Sequence, residues 1–366
     1  MPFRPRPRAH ETTARDHRAG PTSTRRRADR GGPSLSNSWR AWVAENILLG
    51  VAREDIRASL VARGVPRALA VREVEAIARD PLLAGARRVT RLAHRHQLVA
   101  RARREVDKLA TAPLSVERRS RLSWAEFVDR YYAASTPVVI TDALAPWPSL
   151  SRWSPAYFKE RFGDLVVEVT SGRDADPLCD PNFKAHSVAT KLGDFCDRVT
   201  SAGTTNDFYL IANNRLTEQP EFQPIFDDVR APHEYLDDRR YGGTMLMWFG
   251  PAGTVTPLHH DTANALFCQV YGRKKIVLFP PFELSLLRRM HHGVYSAIDV
   301  LAPDLEAFPE FADLARREVT LSPGEALFIP VTWWHHVRAL EVSINIAFTN
   351  FRAPNYFGWY YPGSVT

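Results

Sequence analysis

Cysteine is scarce: Cys179, Cys196 and Cys268 are the only three in 366 residues, and no two share the close spacing of a zinc site or a redox pair. An odd, dispersed set excludes a disulfide framework and suits a reducing compartment. Long apolar runs are missing too. No stretch approaches the roughly eighteen uninterrupted apolar residues a membrane-spanning helix needs, and the first residues hold no apolar segment between their charges. A cytoplasmic protein with no membrane partner is expected. An acidic balance is also lacking, since the formal net charge is +7.

That charge is concentrated at one end. Residues 1–37 carry nine arginines against Glu11, Asp16 and Asp29, a net +6, so the remainder is nearly neutral. The segment is rich in Arg, Pro, Gly, Ser and Thr and almost devoid of large apolar side chains. It cannot offset the entropy of folding and reads as a disordered basic tail. Its run Arg25-Arg26-Arg27 could touch nucleic-acid phosphates; a solvated tail is the plainer reading.

Helical periodicity begins at Ser38, a candidate N-cap, with Trp39, Trp42, Val43 and Ile47 on one stripe and Gly50 as the stop. A second helix carries Ile56 and Leu60 and stops at Gly64. A third has Pro66 in its first turn, turns Leu69, Val74 and Ile77 inward, and ends before Asp80-Pro81. A fourth spaces Val89, Leu92, His96, Val99, Val106 and Leu109 at helical steps inside a sheath of arginines. His94 and His96 diverge on a helix and read as surface residues rather than ligands. Residues 38–112 therefore read as a small helical domain. Its arginine face is solvated by default, with docking to the second domain, a homodimer partner or an acidic ligand as the sharper alternative.

Residues 113–366 read as a second domain. After a short helix at Trp124 to Tyr132 come strand patterns at residues 136–142, 165–170 and 206–211, separated by turn signals. Within it lies Thr256-Pro257-Leu258-His259-His260-Asp261. Side chains alternate along an extended strand, so His259 and Asp261 face one way while Leu258 and His260 face the other. Two ligands from one strand and a histidine from another can present two imidazoles and a carboxylate on one face of an octahedral ion, leaving three positions open. A second histidine-bearing stretch follows at Trp333-Trp334-His335-His336. Short strands around one metal clamp indicate an α+β chain: a double-stranded β-helix of jelly-roll type preceded by helices.

Four stretches in order, Met247–Asp261, Gln269–Lys275, Ser322–Pro330 and Trp334-His335, resemble the JmjC-type, cupin-like 2-oxoglutarate oxygenases over about residues 121–355. The resemblance implies Fe(II) as metal, 2-oxoglutarate and O2 as cosubstrates, and His259, Asp261 and His335 as ligands, with His260 and His336 turned away. It assigns Lys274, thirteen residues after Asp261, to the far carboxylate of 2-oxoglutarate, helped by the hydroxyls of Thr256 and Tyr209. Lys275 would face the other side. One departure stands out: where relatives place an asparagine six residues after the first ligand, this chain has Ala265, and Asn264 is the candidate substitute.

Glu168 and Trp248 match positions with which JmjC arginyl hydroxylases hold a guanidinium, a carboxylate fork and an indole face suiting a planar cation. Each also reads as an ordinary structural residue. His291 and His292 read as surface or substrate-channel residues. The implied activity is hydroxylation of a side chain, a peptidyl arginine being the specific candidate, with release of succinate and CO2. The alternatives are a hydroxylase of a small natural product and, in another class, a non-catalytic cupin scaffold that binds a partner.

Overall fold

The computed structural model describes residues 34–107, 109, 115–214, 216–237, 245–283, 290–292 and 294–355. The chain divides into two compact units, residues 1–99 and 100–366, so the division falls inside the fourth helix rather than at 112/113. Most of the basic tail lies outside the described residues.

In the first unit, α1 (Asn37–Leu48), α2 (Arg53–Ala62), α3 (Arg67–Arg79) and the start of α4 (Pro81–Asp107) enclose one core. Trp39 and Trp42 meet edge to face at 5.4 Å there, packed with Val43, Ile47, Ile56, Leu60, Val74 and Ile77. The cap of α1 is Ser36, whose hydroxyl accepts from the Trp39 N–H, two residues before the expected Ser38. Leu35 is buried although it lies inside the segment read as tail. Gly50 and Gly64 end α1 and α2 at φ +83° and +86°, a left-handed conformation that favours glycine. In α3, Leu69 packs partly buried against this core beside the fully buried Ala70. One inward assignment needs correction. In α4, Val89, Leu92, Val99 and Val106, and Leu109 just after it, are all more than half exposed, and Leu83 is the residue that joins the core.

The second unit adds short helices α5 (Trp124–Phe127), α6 (Ser149–Arg152), α7 (Pro155–Phe162) and α8 (Leu192–Ser201). Its strands run β1 (Glu117–Arg119), β2 (Val138–Ile140), β3 (Val166–Ser171), β4 (Ser187–Lys191), β5 (Phe208–Tyr209), β6 (Met245–Gly250), β7 (Val255–His260) and β8 (Ala265–Tyr271). They continue as β9 (Lys274–Phe279), β10 (Met290–His292), β11 (Tyr295–Ser296), β12 (Arg317–Leu321), β13 (Ala326–Ile329), β14 (Trp334–Ala339) and β15 (Ser343–Phe348).

Two six-stranded sheets, β1-β2-β13-β8-β15-β6 and β10-β11-β7-β14-β9-β12, form the jelly roll, an α+β arrangement as expected. Between them lie Val139, Phe267, Leu327 and Ile329 from the first and Ile276, Leu278, Leu321 and Val337 from the second. The outer face of the first sheet is covered by α5, α7, α8 and their neighbours, through a cluster that includes Phe127, Phe158, Phe195, Leu266, Phe249 and Ile346. On the outer face of the second, Leu258, Val277, Phe279 and Trp334 are covered by Ile298, Phe311 and Leu314. This double cover explains why β8 reads Ala-Leu-Phe-Cys-Gln-Val-Tyr without polar alternation. A third sheet, β4-β3-β5, joins the first through reciprocal backbone hydrogen bonds between Leu210 and Phe249. The β8–β9 turn depends on Gly272: its φ is +65°, and a Cβ there would lie 2.0 Å from the Val342 carbonyl oxygen.

Candidate metal centre and its pocket

Alternation decides what reaches the barrel interior. Antiparallel β14 and β7 pair with His335 opposite His259 and Trp334 opposite His260. Leu258 and Trp334 belong to the outer cluster, so His259 and His335 point inward. Asp261 follows β7, where its backbone carbonyl accepts from the Thr332 N–H at 3.1 Å. The His259 and His335 rings lie 4.0 Å apart between centroids, and their Nε2 atoms lie 4.0 and 3.7 Å from the Asp261 carboxylate. One ligand atom from each of the three falls within 4.8 Å of the others.

The tautomers suit metal ligation. His259 Nδ1 donates to the Pro257 carbonyl at 2.8 Å and His335 Nδ1 to the Trp333 carbonyl at 3.0 Å, leaving both Nε2 lone pairs facing Asp261. Burial and the adjacent His259 push the His335 imidazole down to about 4, which keeps it in the neutral, ligating form. Two nitrogens and one oxygen so arranged fit an octahedral divalent metal of the iron type. Tyr295, paired with His259 across β11 and β7, stacks on that imidazole at 5.4 Å.

Deeper in the barrel the same rule turns Lys274, with Ile276 and Leu278, inward and Lys275 outward to an ion pair with Glu318 at 2.7 Å. Lys274 is fully buried. Its ammonium donates to the Tyr209 hydroxyl at 2.7 Å and the Asn345 side-chain oxygen at 2.5 Å, both neutral. Burial, with no anion alongside it among the described residues, brings the ammonium down to about 7. Tyr209 also receives a hydrogen bond from Thr256, and its phenol is pushed up by burial. The ring fits because Gly250 lies under it: a Cβ there would come 2.7 Å from Tyr209 Cδ2. The structure thus brings Tyr209, Thr256 and Lys274 together. Asn345 was not anticipated from the sequence; its Nδ2 is buried and has no hydrogen-bond partner among the described residues. The signal was an asparagine between Ile344 and Ile346 in an otherwise apolar strand.

Asn264 is engaged elsewhere. Its Oδ1 accepts from the Val331 N–H, its Nδ2 donates to Asn355 Oδ1, and its carbonyl accepts from Asn355 Nδ2, each at 2.8 Å. So committed, Asn264 braces the turn before β14. His260 packs edge to face on Trp334 at 4.6 Å on the outer side, and burial lowers it and His336, the latter to about 4. The side chains of His291 and His292 lie outside the described residues.

Trp248 pairs with Asn345 and therefore shares its interior face, where it stacks on Phe267 at 6.2 Å. Glu168 lies two residues before Thr170, which is opposite Tyr209, so it is on the same face of β3 as Thr170. It is exposed, lines a cleft of about 490 Å³ with Asn214, Glu218 and Gln219, and accepts a hydrogen bond from Ser187 at 3.2 Å.

Comparison with known proteins places these features in context. A family model described as a cupin-like domain matches residues 124–355. The chain is 35% identical to the lysine-specific demethylase JMJ30 of Arabidopsis thaliana over 240 residues, covering 64% of this chain and 54% of that protein. It is 32% identical over 240 residues to lysine-specific demethylase 8 of Xenopus tropicalis, covering 62% and 50%. It is 44% identical over 230 residues to the HSPB1-associated protein 1 of Mus musculus, covering 57% and 47%. The chain spans about half the length of these curated relatives.

Proposed function

We propose a function on one premise: the chain belongs to the cupin-like domain family, whose model covers residues 124–355. It is an Fe(II)- and 2-oxoglutarate-dependent oxygenase that hydroxylates a side chain. The observation that carries this reading is the conjunction of the His259, Asp261 and His335 ligand set with a fully buried Lys274 whose hydrogen bonds, among the described residues, go only to neutral groups. A scaffold has no use for a desolvated ammonium, whereas a dicarboxylate that chelates the metal at one end needs a cation at the other.

Bound iron and 2-oxoglutarate supply the oxidation, in which one oxygen of O2 enters a substrate C–H bond and the other enters succinate as CO2 leaves. The protein's residues orient that chemistry. His259 and His335 present Nε2 because their Nδ1 protons are held by backbone carbonyls. Lys274, Tyr209, Thr256 and the free amide of Asn345 receive the far carboxylate and fix the direction of 2-oxoglutarate. The stacked rings of Phe267 and Trp248 add an apolar lining.

For the substrate we propose a cationic side chain of a peptide, arginine first. Glu168, on the Thr170 face of β3, and Trp248, opposite Asn345 on β6, would supply a carboxylate and an indole for a planar cation. Two relatives named for lysine demethylation supply a second reading, oxidation of a methylated lysine, which the same two groups could also hold. The relative named for association with HSPB1 favours a protein over a small natural product. The test is incubation with Fe(II), 2-oxoglutarate and O2 and a peptide set containing arginine or methyl-lysine. Succinate with a peptide raised by one oxygen supports arginine hydroxylation; loss of a methyl group supports the second reading; peptides left unchanged while small molecules are oxidised reject both.

A further inference from the structure

One buried cation in the second unit has no place in the chemistry described so far. Arg173 follows β3 in the stretch Gly172-Arg173-Asp174-Ala175, and its side chain has no solvent exposure. It makes four hydrogen bonds: to the Asn206 carbonyl at 3.1 Å, the Thr170 hydroxyl at 3.0 Å, the Asp180 carboxylate at 2.7 Å and the Val255 carbonyl at 2.8 Å. Its guanidinium also lies over the Tyr209 ring, 5.5 Å from the centroid.

These partners are not scattered. Thr170 stands opposite Tyr209 in the β3–β5 pairing and donates its hydroxyl proton to the Tyr209 carbonyl at 2.9 Å. Val255 opens the strand that carries Thr256 and His259, and its N–H donates to Asn206 Oδ1 at 2.8 Å. Arg173 therefore grips the Tyr209 strand, one face of the Tyr209 ring and the first residue of the metal-bearing strand. Burying a charge costs several kcal/mol unless fully paired, and an apolar residue would fill the same volume more cheaply. A planar fork with four acceptors and a stacking face does something an apolar residue cannot: it fixes where the Tyr209 hydroxyl stands relative to Lys274.

We infer that Arg173 is a positioning residue of the 2-oxoglutarate pocket, acting through Tyr209 and the start of β7 on the far-carboxylate end and not on the metal end. This rests on the 2-oxoglutarate reading above. Arg173 touches neither cosubstrate nor metal. Its loss should weaken only those ligands that extend as far as Lys274.

Pyruvate separates the two ends, because it offers a metal the same keto acid group without a far carboxylate. The experiment measures binding of 2-oxoglutarate and of pyruvate to the Co(II)-loaded full chain under anaerobic conditions, by calorimetry and by the Co(II) absorption bands. Arg173→Lys keeps the charge beside Asp180 but loses the fork and the stacking plane. It should weaken 2-oxoglutarate at least tenfold and pyruvate less than threefold. Should that variant fold poorly, the pair Arg173→Met with Asp180→Asn removes both buried charges together and is expected to show the same selective loss. An unchanged ratio of the two affinities, or an equal loss of both, overturns the inference. A wild-type protein with no preference for 2-oxoglutarate over pyruvate overturns the proposed function, and the inference with it.

Discussion

Lys274 and Asn345 meet inside the barrel at 2.5 Å, ammonium to amide oxygen, and among the described residues no carboxylate is hydrogen-bonded to that ammonium. A lysine so placed costs folding free energy until an anion arrives. The apoprotein is held in a form that binding of a dicarboxylate relieves.

The first prediction concerns pH. In the folded apoprotein Lys274 sits at about 7, below its ordinary 10.5, so between those values the unfolded chain holds more protons than the folded one. This group's contribution to apoprotein stability should therefore rise with pH across that window. Binding of 2-oxoglutarate draws the proton back, so its affinity should fall above pH 7, by up to roughly tenfold per pH unit for one linked proton. Calorimetry in buffers of different ionisation enthalpy should register proton uptake at pH 8. A flat affinity profile from pH 7 to 9 with no proton uptake would remove Lys274 from the binding site.

Substitutions at the same pair should separate charge from shape. Asn345→Asp gives Lys274 an internal anion, raises its pKa and repels the incoming carboxylate. A loss of about a hundredfold in 2-oxoglutarate affinity is expected, ~2.7 kcal/mol, with Co(II) affinity within threefold of wild type. Lys275→Ala, outside the barrel beside Glu318, should leave both unchanged.

The two histidine pairs should behave oppositely. His259→Ala or His335→Ala removes a ligand and should abolish Co(II) binding at micromolar metal. His260→Ala leaves the ligands in place and should cost only stability, about 1 to 2 kcal/mol for the lost packing on Trp334, read as a lower melting temperature. Loss of metal binding in the His260 variant would reverse the inward and outward faces of β7.

Glu168→Ala tests the cationic-substrate proposal. Because Glu168 is exposed before substrate binds, a charge pair there is only partly desolvated, and a loss of about 2 kcal/mol, ~30-fold in kcat/KM for an arginine peptide, is expected. Substrate-free turnover of 2-oxoglutarate should not change. An arginine peptide oxidised equally well by the variant would exclude this grip.

The parts of the site legible in the sequence are those fixed by local alternation. The spacing of His259 to Asp261 and the opposed faces of Lys274 and Lys275 follow from a period of two. Asn345 and Arg173 were not legible in this way. Asn345 is assigned by a ladder linking β15 to β6, and Arg173 by four acceptors on three separated stretches. For Asn264, the candidate one place from the expected position, spacing alone could not show that its hydrogen bonds go to Asn355 and Val331. In α4, periodicity identified an apolar stripe correctly but carried no information on whether anything covers Val89 or Val99.

The most direct test of the central claim is an anaerobic titration of the Fe(II)-loaded protein with 2-oxoglutarate, followed by visible absorption. A keto acid chelating iron held by His259, Asp261 and His335 should produce a weak metal-to-ligand charge-transfer band that saturates at one equivalent. Asp261→Ala should abolish the band, and Lys274→Met should shift its midpoint to at least tenfold higher 2-oxoglutarate. No band in the wild-type protein, or a band that survives Asp261→Ala, would contradict the assignment of the site.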